Sequence, residues 1–306
     1  MKSGKPARSA GILAAAFVLV TACGSAAPPP PLDADIVSVG VKLYPGLSPE
    51  NSHLPVGFEA QARSKILKHA GVRKSAPTRV WANNWETTLS NGKVHLVMGM
   101  ISDSDLRAGR FRLARSYLRT DIGLLTLADA EPVHRVADLA GKTICTVEGT
   151  TADETMKVLQ SSARLHLTSV STPETCVEKV RKKEAFAYST DRIILMGFTT
   201  QSENVDEETG KSRFRVPDLP LGRQQHISIA LRKDHGEACR RLVSAIDTYV
   251  RSNDWLTDLR SQLIDEYLRL APGNPHMTDE QIREKFEPKV IDTDRCADGD
   301  ALTAPA

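Results

Sequence analysis

Apolar and polar residues follow one another along the chain in blocks that predict strands and helices in turn. A β-branched run from Ile36 to Lys42 predicts a strand, and apolar residues four apart between Phe58 and Ala70 predict the helix after it. The next predicted strands, each leading into a helical pattern, are at residues 94–98, 143–147 and 166–170. This alternation favours an α/β fold with parallel sheets.

Two further apolar stretches, at residues 122–127 and 227–231, bracket a segment that has its own strand and helix alternation. We expect them to be the two crossings of a hinge. The predicted architecture is therefore two Rossmann-like lobes, residues 36–121 with 227–270 and residues 122–226. Residues 271–306 are polar and rich in proline and small residues, and they are expected to form a loosely packed tail.

The chain begins with the pattern of a secretory signal. Basic residues precede an apolar run from Ala10 to Val20, which is too short to span a bilayer as a mature helix. Residues 1–22 are predicted to be a signal peptide ending in a lipobox-like sequence, so that Cys23 would be acylated; an ordinary cleavage site with an incidental cysteine is the alternative. Proline-rich residues 23–35 would then be a tether, and the protein would lie on the extracytoplasmic face of the membrane.

Composition and charge narrow the classes of function. The chain has 306 residues, 41% of them hydrophobic and 25% charged, which is enough for two globular lobes. The formal charge is +2, and subtracting three basic residues of the signal leaves −1, so no basic field attracts nucleic acid. We find no catalytic triad motif, phosphate loop or metal-ligand spacing, and we expect no cofactor, no metal and no enzymatic activity. The enzyme alternative would use a carboxylate or imidazole base, with these candidates: Glu86, His95 and Glu148.

Several short motifs occur in a particular order and spacing. They are residues 40–42 with 45–47, 56–59, 91–97, 102–107, 138–150, 175–178 and 190–191. Together they resemble the family 3 extracellular solute-binding proteins of amino-acid ABC transporters, most closely the glutamate and glutamine receptors. The resemblance spans about residues 37–263. It implies a type II periplasmic-binding-protein fold, a small amino-acid ligand, a transporter permease as partner, and a monomer.

The resemblance also implies a ligand site. A zwitterionic amino acid needs a cation for its carboxylate and an anion for its ammonium group. Arg107 matches the family's carboxylate-binding arginine, Ser102 its hydroxyl ligand and Asp191 its ammonium-binding aspartate. The remaining expected contacts of the ligand are Met100, Thr150, Thr151 and Trp85.

Each of these assignments has a structural alternative. Arg107 is followed by three more arginines and would otherwise be a solvated surface residue. Asp191 would otherwise be a plain helix cap. The threonines sit at a strand-to-helix corner where backbone N–H groups can meet an anion, but a capping box, Thr151-x-x-Glu154, explains them without any ligand.

Four cysteines follow Cys23, and in an oxidising compartment disulfides are the default expectation. The family pairs cysteines equivalent to Cys145 and Cys176. Cys239 and Cys296 remain, and the sequence does not determine whether they bond to each other.

The chain departs from the glutamate receptors at one position that matters for specificity. Where those receptors place an arginine for the side-chain carboxylate, this chain has Asn84-Trp85. Trp85 would offer an aromatic wall or a cation–π face instead. The expected function is capture of a polar amino acid by hinge closure, and the alternative is a sensor or scaffold lipoprotein with a degenerate pocket.

Overall fold

The computed structural model describes residues 1, 30–48, 56–273, 275–289 and 295–296. The predicted signal peptide beyond its first residue, the lipidation candidate Cys23 and the first part of the tether lie outside the described residues, as do residues 290–294 and 297–306. No helix of the described ranges is long and apolar enough to cross a membrane.

The strands form one mixed sheet whose order is β2-β1-β3-β10-β5-β8-β6-β7, with β4 beside β10 and β9 beside β5. Pairing is parallel within β2-β1-β3 and within β8-β6-β7, and antiparallel wherever β5 or β10 takes part. Their bounds are β1 Val37–Val41, β2 Ser75–Arg79, β3 Leu96–Ser102, β4 Arg112–Leu113, β5 Leu118–Leu127, β6 Thr143–Val147, β7 His166–Val170, β8 Ala187–Asp191, β9 Phe214–Arg215 and β10 Leu221–Leu231.

The two long strands, β5 and β10, join the two halves of the sheet. The first part of β5 pairs with β10, with Leu118 opposite Ile227, and its second part pairs with β8, with Ile122 opposite Asp191. Strand β10 then returns to the first half and pairs with β3. The apolar stretches predicted to be crossings, residues 122–127 and 227–231, are the C-terminal parts of these two strands.

Helices lie between the strands, as the predicted alternation requires. Their bounds are α1 Phe58–His69, α2 Trp85–Ser90, α3 Asp105–Arg110, α4 Thr151–Ala163, α5 Pro173–Arg181, α6 Arg192–Thr199, α7 Gly236–Arg251, α8 Asn253–Leu259, α9 Asp265–Leu270 and α10 Asp279–Phe286. A π-helical turn, Arg260–Ile264, joins α8 to α9. Helix α5 has Thr172 as its N-cap and Pro173 in its first turn, a favourable place for proline because the N–H that proline lacks would have no partner there.

The hydrophobic core covers both halves of the sheet. In the second half, residues of β5 and β6 pack against the apolar face of α4, for example Ile122, Ile144 and Met156. In the first half, α2 closes a smaller cluster around Trp85 and Phe111. The functional side chains described below emerge where these layers meet, at strand ends.

Two disulfides cross-link the described residues. Cys145 on β6 is bonded to Cys176 on α5, with 5.5 Å between their Cα atoms, as the family resemblance implies. Cys239 on α7 is bonded to Cys296, also with a Cα separation of 5.5 Å. The pairing that the sequence left open is thus present, and it ties the C-terminal segment to the first half of the sheet.

The prediction that residues 271–306 pack loosely is wrong for α10. Ile282 and Phe286 are spaced four apart on one face of this helix, and both are buried in the main core. Thr278 and Gln281 form a capping box that starts the helix. The prediction relied on the low apolar content of the whole segment. Two apolar residues on one face are nevertheless enough to pack a short helix against the core.

Candidate ligand site between the two halves

Arg107 and Ser102 lie on the connection from β3 to α3. Ser102 is the last residue of β3, and Ser104 is the N-cap of α3, where its hydroxyl accepts a hydrogen bond from the backbone N–H of Arg107. The Arg107 guanidinium turns back and donates to the Ser102 carbonyl oxygen at 3.0 Å. Arg107 is only 6% exposed, so the interpretation of it as a solvated surface residue is wrong.

Trp85 lies behind Arg107. It begins α2, is 1% exposed and packs against Phe111 with 5.2 Å between the ring centroids. The guanidinium carbon of Arg107 stands 5.6 Å from the centre of the Trp85 ring, within the range of a cation–π contact. The aromatic face that we expected to meet a ligand therefore meets Arg107 and orients it.

Thr150 and Thr151 approach from the second half of the sheet. Thr150, not Thr151, is the N-cap of α4: its hydroxyl accepts from the Asp153 N–H at 3.2 Å and donates to the Val147 carbonyl at 2.7 Å. The predicted capping box, Thr151-x-x-Glu154, is therefore not formed, and the helix starts one residue earlier with the Thr150 side chain as its cap. The Thr151 hydroxyl points across to the other half of the sheet, where its oxygen lies 3.2 Å from that of Ser102.

Asp191 is the last residue of β8 and the residue before α6. It occupies the N-cap position, yet its carboxylate accepts no hydrogen bond from the helix, so the plain helix-cap interpretation is wrong. Asp191 is 6% exposed, and its Oδ1 is buried with no hydrogen-bond partner among the described residues. Burial raises the pKa of Asp191 from 3.8 to about 7, although Lys42 and Arg107 act against the rise.

Lys42 is the residue of this cluster to which the sequence analysis assigned no role. It follows β1 and is 7% exposed. Its ammonium group donates to the Met100 carbonyl at 3.4 Å. Burial, and then repulsion from Arg107, lower the pKa of Lys42 from 10.5 to about 7, while Glu59 and Asp191 favour its charged form. One feature of the sequence could have identified Lys42: it stands at the carboxyl end of an apolar run. Parallel strands place ligand-binding groups at their carboxyl ends.

Met100 shapes the backbone between these groups. Its φ angle is +52°, a left-handed conformation that is unusual for a residue with a side chain. The Met100 N–H donates to the buried Glu59 carboxylate at 2.8 Å, and the Tyr117 hydroxyl donates to the same carboxylate oxygen. Glu59 therefore fixes the backbone on the N-terminal side of Met100, and Lys42 contacts the carbonyl on its C-terminal side.

The structure thus brings most of the predicted site together. Arg107 and Asp191 are close enough to perturb each other's pKa, and the hydroxyl oxygens of Ser102 and Thr151 lie 3.2 Å apart across the two halves. The Thr150 hydroxyl is used within its own turn. A cavity of about 870 Å³ lies alongside and is lined by Thr151 and Glu154, but not by Arg107 or Asp191. The charged cluster offers a cation and an anion together, which are the two charges that the ends of a zwitterion require.

The described residues contain no group of three or more His, Cys, Asp or Glu side chains that could hold a metal ion. Two of the three residues considered as catalytic bases are already engaged. Glu86 forms an ion pair with Arg110 at 2.5 Å. The His95 ring accepts the backbone N–H of Ser38 at 2.9 Å.

No family model matches the chain, but individual proteins do. It is 25% identical over 284 residues to the glutamate-binding protein GluB of Corynebacterium glutamicum, a match that covers 87% of this chain and 92% of that protein. Among solved structures, a substrate-binding protein of a Streptococcus pneumoniae amino acid ABC transporter, bound to L-arginine, gives a TM-score of 0.63 at 16% identity. That match covers 77% of this chain and 95% of the other.

The resemblance to amino-acid-binding proteins is confirmed. The GluR0 ligand-binding core, solved with L-glutamate, shares the fold as well, with a TM-score of 0.64 at 17% identity over 76% of this chain and 99% of that one. The chain therefore has the two-lobed fold of the type II periplasmic binding proteins. At these low identities the solved structures establish the fold alone.

Proposed function

We propose that this protein is a receptor that captures a polar amino acid between its two lobes. The observation that carries the proposal is the burial of one cation, Arg107, beside one anion, Asp191, at the junction of the two halves. Burying either charge alone is costly, and the pair has no direct hydrogen bond among the described residues. A ligand that carries both complementary charges would satisfy them.

The positions of the polar groups assign a role to each. The α-carboxylate of the ligand would be bound by the Arg107 guanidinium and the hydroxyls of Ser102 and Thr151. The α-ammonium would be bound by the Asp191 carboxylate, whose Oδ1 has no hydrogen-bond partner. Trp85 would act through Arg107, by holding the guanidinium from behind.

Lys42 favours an acidic or amide side chain on the ligand. Once Arg107 and Asp191 bind the α-carbon groups, Lys42 remains as a second buried cation in the cluster. A side-chain carboxylate would form a charge-assisted hydrogen bond with it, which would replace the arginine expected at the position of Trp85. We therefore favour glutamate over arginine, and the curated relative is named a glutamate-binding protein.

Capture would proceed by closure of the two lobes, residues 36–121 with 227–270 and residues 122–226, about strands β5 and β10. The hydroxyl contact between Ser102 and Thr151 already joins the two lobes. A ligand bound by both lobes would favour the closed form by its differential affinity for that form. We infer that the closed receptor delivers its ligand to an ABC transporter, and that Cys23, if acylated, anchors the receptor as a monomer on the extracytoplasmic face of the membrane.

Isothermal titration calorimetry of the purified protein against the proteinogenic amino acids tests the proposal. Glutamate is expected to bind, and Asp191→Asn and Arg107→Gln are each expected to weaken binding at least about 100-fold, because each leaves a buried group unpaired. The control is Arg110→Gln, which removes a more exposed arginine one helical turn away and should leave affinity unchanged. If no amino acid binds, a sensor or scaffold with a degenerate pocket becomes the working hypothesis.

A further inference from the structure

The C-terminal segment returns to the ligand site. Helix α10 and residues 295–296 follow α9 in the chain, after the strands and helices that build the ligand site. Cys296 is bonded to Cys239 on α7, and its carbonyl oxygen accepts a hydrogen bond from Arg112 at 2.5 Å. Its neighbour Arg295 is thereby held against the connection between β3 and α3.

Arg295 binds two carboxylates on that connection. Its Nε lies 2.9 Å from Asp103 Oδ1, an ion pair whose two atoms are not aligned for a hydrogen bond, and its Nη2 donates to Asp105 Oδ1 at 3.1 Å. The side chains of Arg295 and Asp103 are each 17% exposed, so their ion pair is largely shielded from solvent. Removing one partner of a shielded pair costs more stability than removing one partner of an exposed pair.

The two carboxylates are next to the proposed ligand-binding residues Ser102 and Arg107 in the chain. Asp103 directly follows Ser102, and Asp105 is the first residue of α3, two positions before Arg107. Helix α3 has only six residues, and a helix of that length is not stable by its own hydrogen bonds. Its position therefore depends on contacts made by its first turn, and Arg295 supplies one of them.

Removing Arg295 would leave the negative charge of Asp103 without a neighbouring cation to balance it. Burial raises the pKa of Asp103, and Arg295 is the cation that opposes this rise, while Asp105 adds to it. A buried carboxylate that loses its cation is strongly destabilised. The uncompensated charge can be removed by protonation of Asp103 or hydrated by movement of the β3–α3 connection toward solvent. Such a movement would displace Ser102, which directly precedes Asp103.

We propose that Arg295, anchored by the Cys239–Cys296 disulfide, is a positioning residue of the ligand site that acts on Ser102 and Arg107 through Asp103 and Asp105. The expected effect of Arg295 on ligand affinity rests on the proposed function. The expected effect of Arg295 on the order of α3 is independent of the proposed function.

The affinity test uses titration calorimetry of the full-length protein with glutamate as the probe. Arg295→Gln is expected to raise the Kd at least about 10-fold, and Arg295→Lys, which keeps the charge, is expected to restore most of the affinity. Asp103→Asn combined with Arg295→Gln should bind more tightly than Arg295→Gln alone, because the uncompensated carboxylate is gone. The matched control is Arg241→Gln, which breaks an ion pair with Asp33 elsewhere on the surface and should leave the Kd unchanged.

Hydrogen exchange of the ligand-free protein provides a readout that needs no binding. The amides of residues 104–110 are expected to exchange at least about 10-fold faster in Arg295→Gln and in the double variant Cys239→Ser, Cys296→Ser. Unchanged exchange in Arg295→Gln overturns the inference, and so does a loss of affinity that Arg241→Gln reproduces. If glutamate does not bind the unmodified protein, the proposed function fails and the exchange rates alone decide whether Arg295 positions α3.

Discussion

Replacing Lys42 with methionine is expected to stabilise the ligand-free protein while weakening its affinity for glutamate. Lys42 is buried, and its ammonium group makes one long hydrogen bond, 3.4 Å, to the Met100 carbonyl. Methionine has a similar unbranched shape and no charge to desolvate. The substitution therefore separates the stability that the protein loses by burying the Lys42 ammonium group from the contribution of Lys42 to ligand binding.

The magnitude follows from the pKa of Lys42. This pKa falls from 10.5 to about 7 on folding, which at about 1.4 kcal/mol per pH unit corresponds to a penalty of about 5 kcal/mol. Loss of the hydrogen bond and imperfect packing of methionine reduce the gain by about 1–2 kcal/mol. We expect the free energy of unfolding at pH 7 to rise by about 3–4 kcal/mol.

The sign of the pH dependence can be checked independently. Between about pH 7 and pH 10.5 the unfolded chain carries a proton on Lys42 that the folded protein has lost, so the stability of the unmodified protein rises with pH in this window. The penalty is fully present below about pH 7 and disappears above the unfolded pKa. The stability difference between variant and unmodified protein should therefore shrink by about 2 kcal/mol from pH 7 to pH 9.

Chemical denaturation with intact disulfides, at both pH values, measures this difference. Lys65→Met is the matched control, because Lys65 pairs with Asp254 and Asp258 at 3.2 and 2.9 Å and its pKa is raised. That variant should lose up to about 1 kcal/mol. The reasoning is refuted if Lys42→Met is less stable than the unmodified protein at pH 7, since Lys42 would then be a structural residue.

Three further predictions test the site and the fold. Glutamate affinity should peak near pH 7, because Lys42 must be protonated and Asp191 ionised and both have a pKa of about 7; calorimetry that shows a flat profile between about pH 5 and pH 9 contradicts this. Gly197→Ala should lower the free energy of unfolding by at least about 2 kcal/mol in chemical denaturation, because its new Cβ collides with a carbonyl oxygen of a facing loop. In the control, Gly109→Ala, the new Cβ enters open space, and the free energy of unfolding should rise by up to about 1 kcal/mol. Phe286→Ala should cost about 3–5 kcal/mol, and a loss below about 1 kcal/mol would show that α10 is not part of the core.

Local pattern predicted the strands best where a run of apolar and β-branched residues is bounded by turns. The strands β6 and β7 have the predicted ends, residues 143–147 and 166–170. Strand β2, Ser75–Arg79, was not predicted, because all five of its residues are exposed and carry no apolar signal. It exists through pairing with β1, where Val37 lies opposite Ser75. Edge strands of this kind depend on the neighbouring strand more than on their own composition.

The sequence by itself determined the α/β alternation and the two crossing strands, because these follow from local periodicity, and the family resemblance singled out Arg107 and Asp191, which the structure brings close together. Only the tertiary structure decided that Lys42 joins that pair, that Trp85 supports Arg107 and that Arg295 reaches Asp103. These contacts link residues far apart in the chain. Their geometry depends on how the sheet and helices pack, and no local pattern encodes that packing.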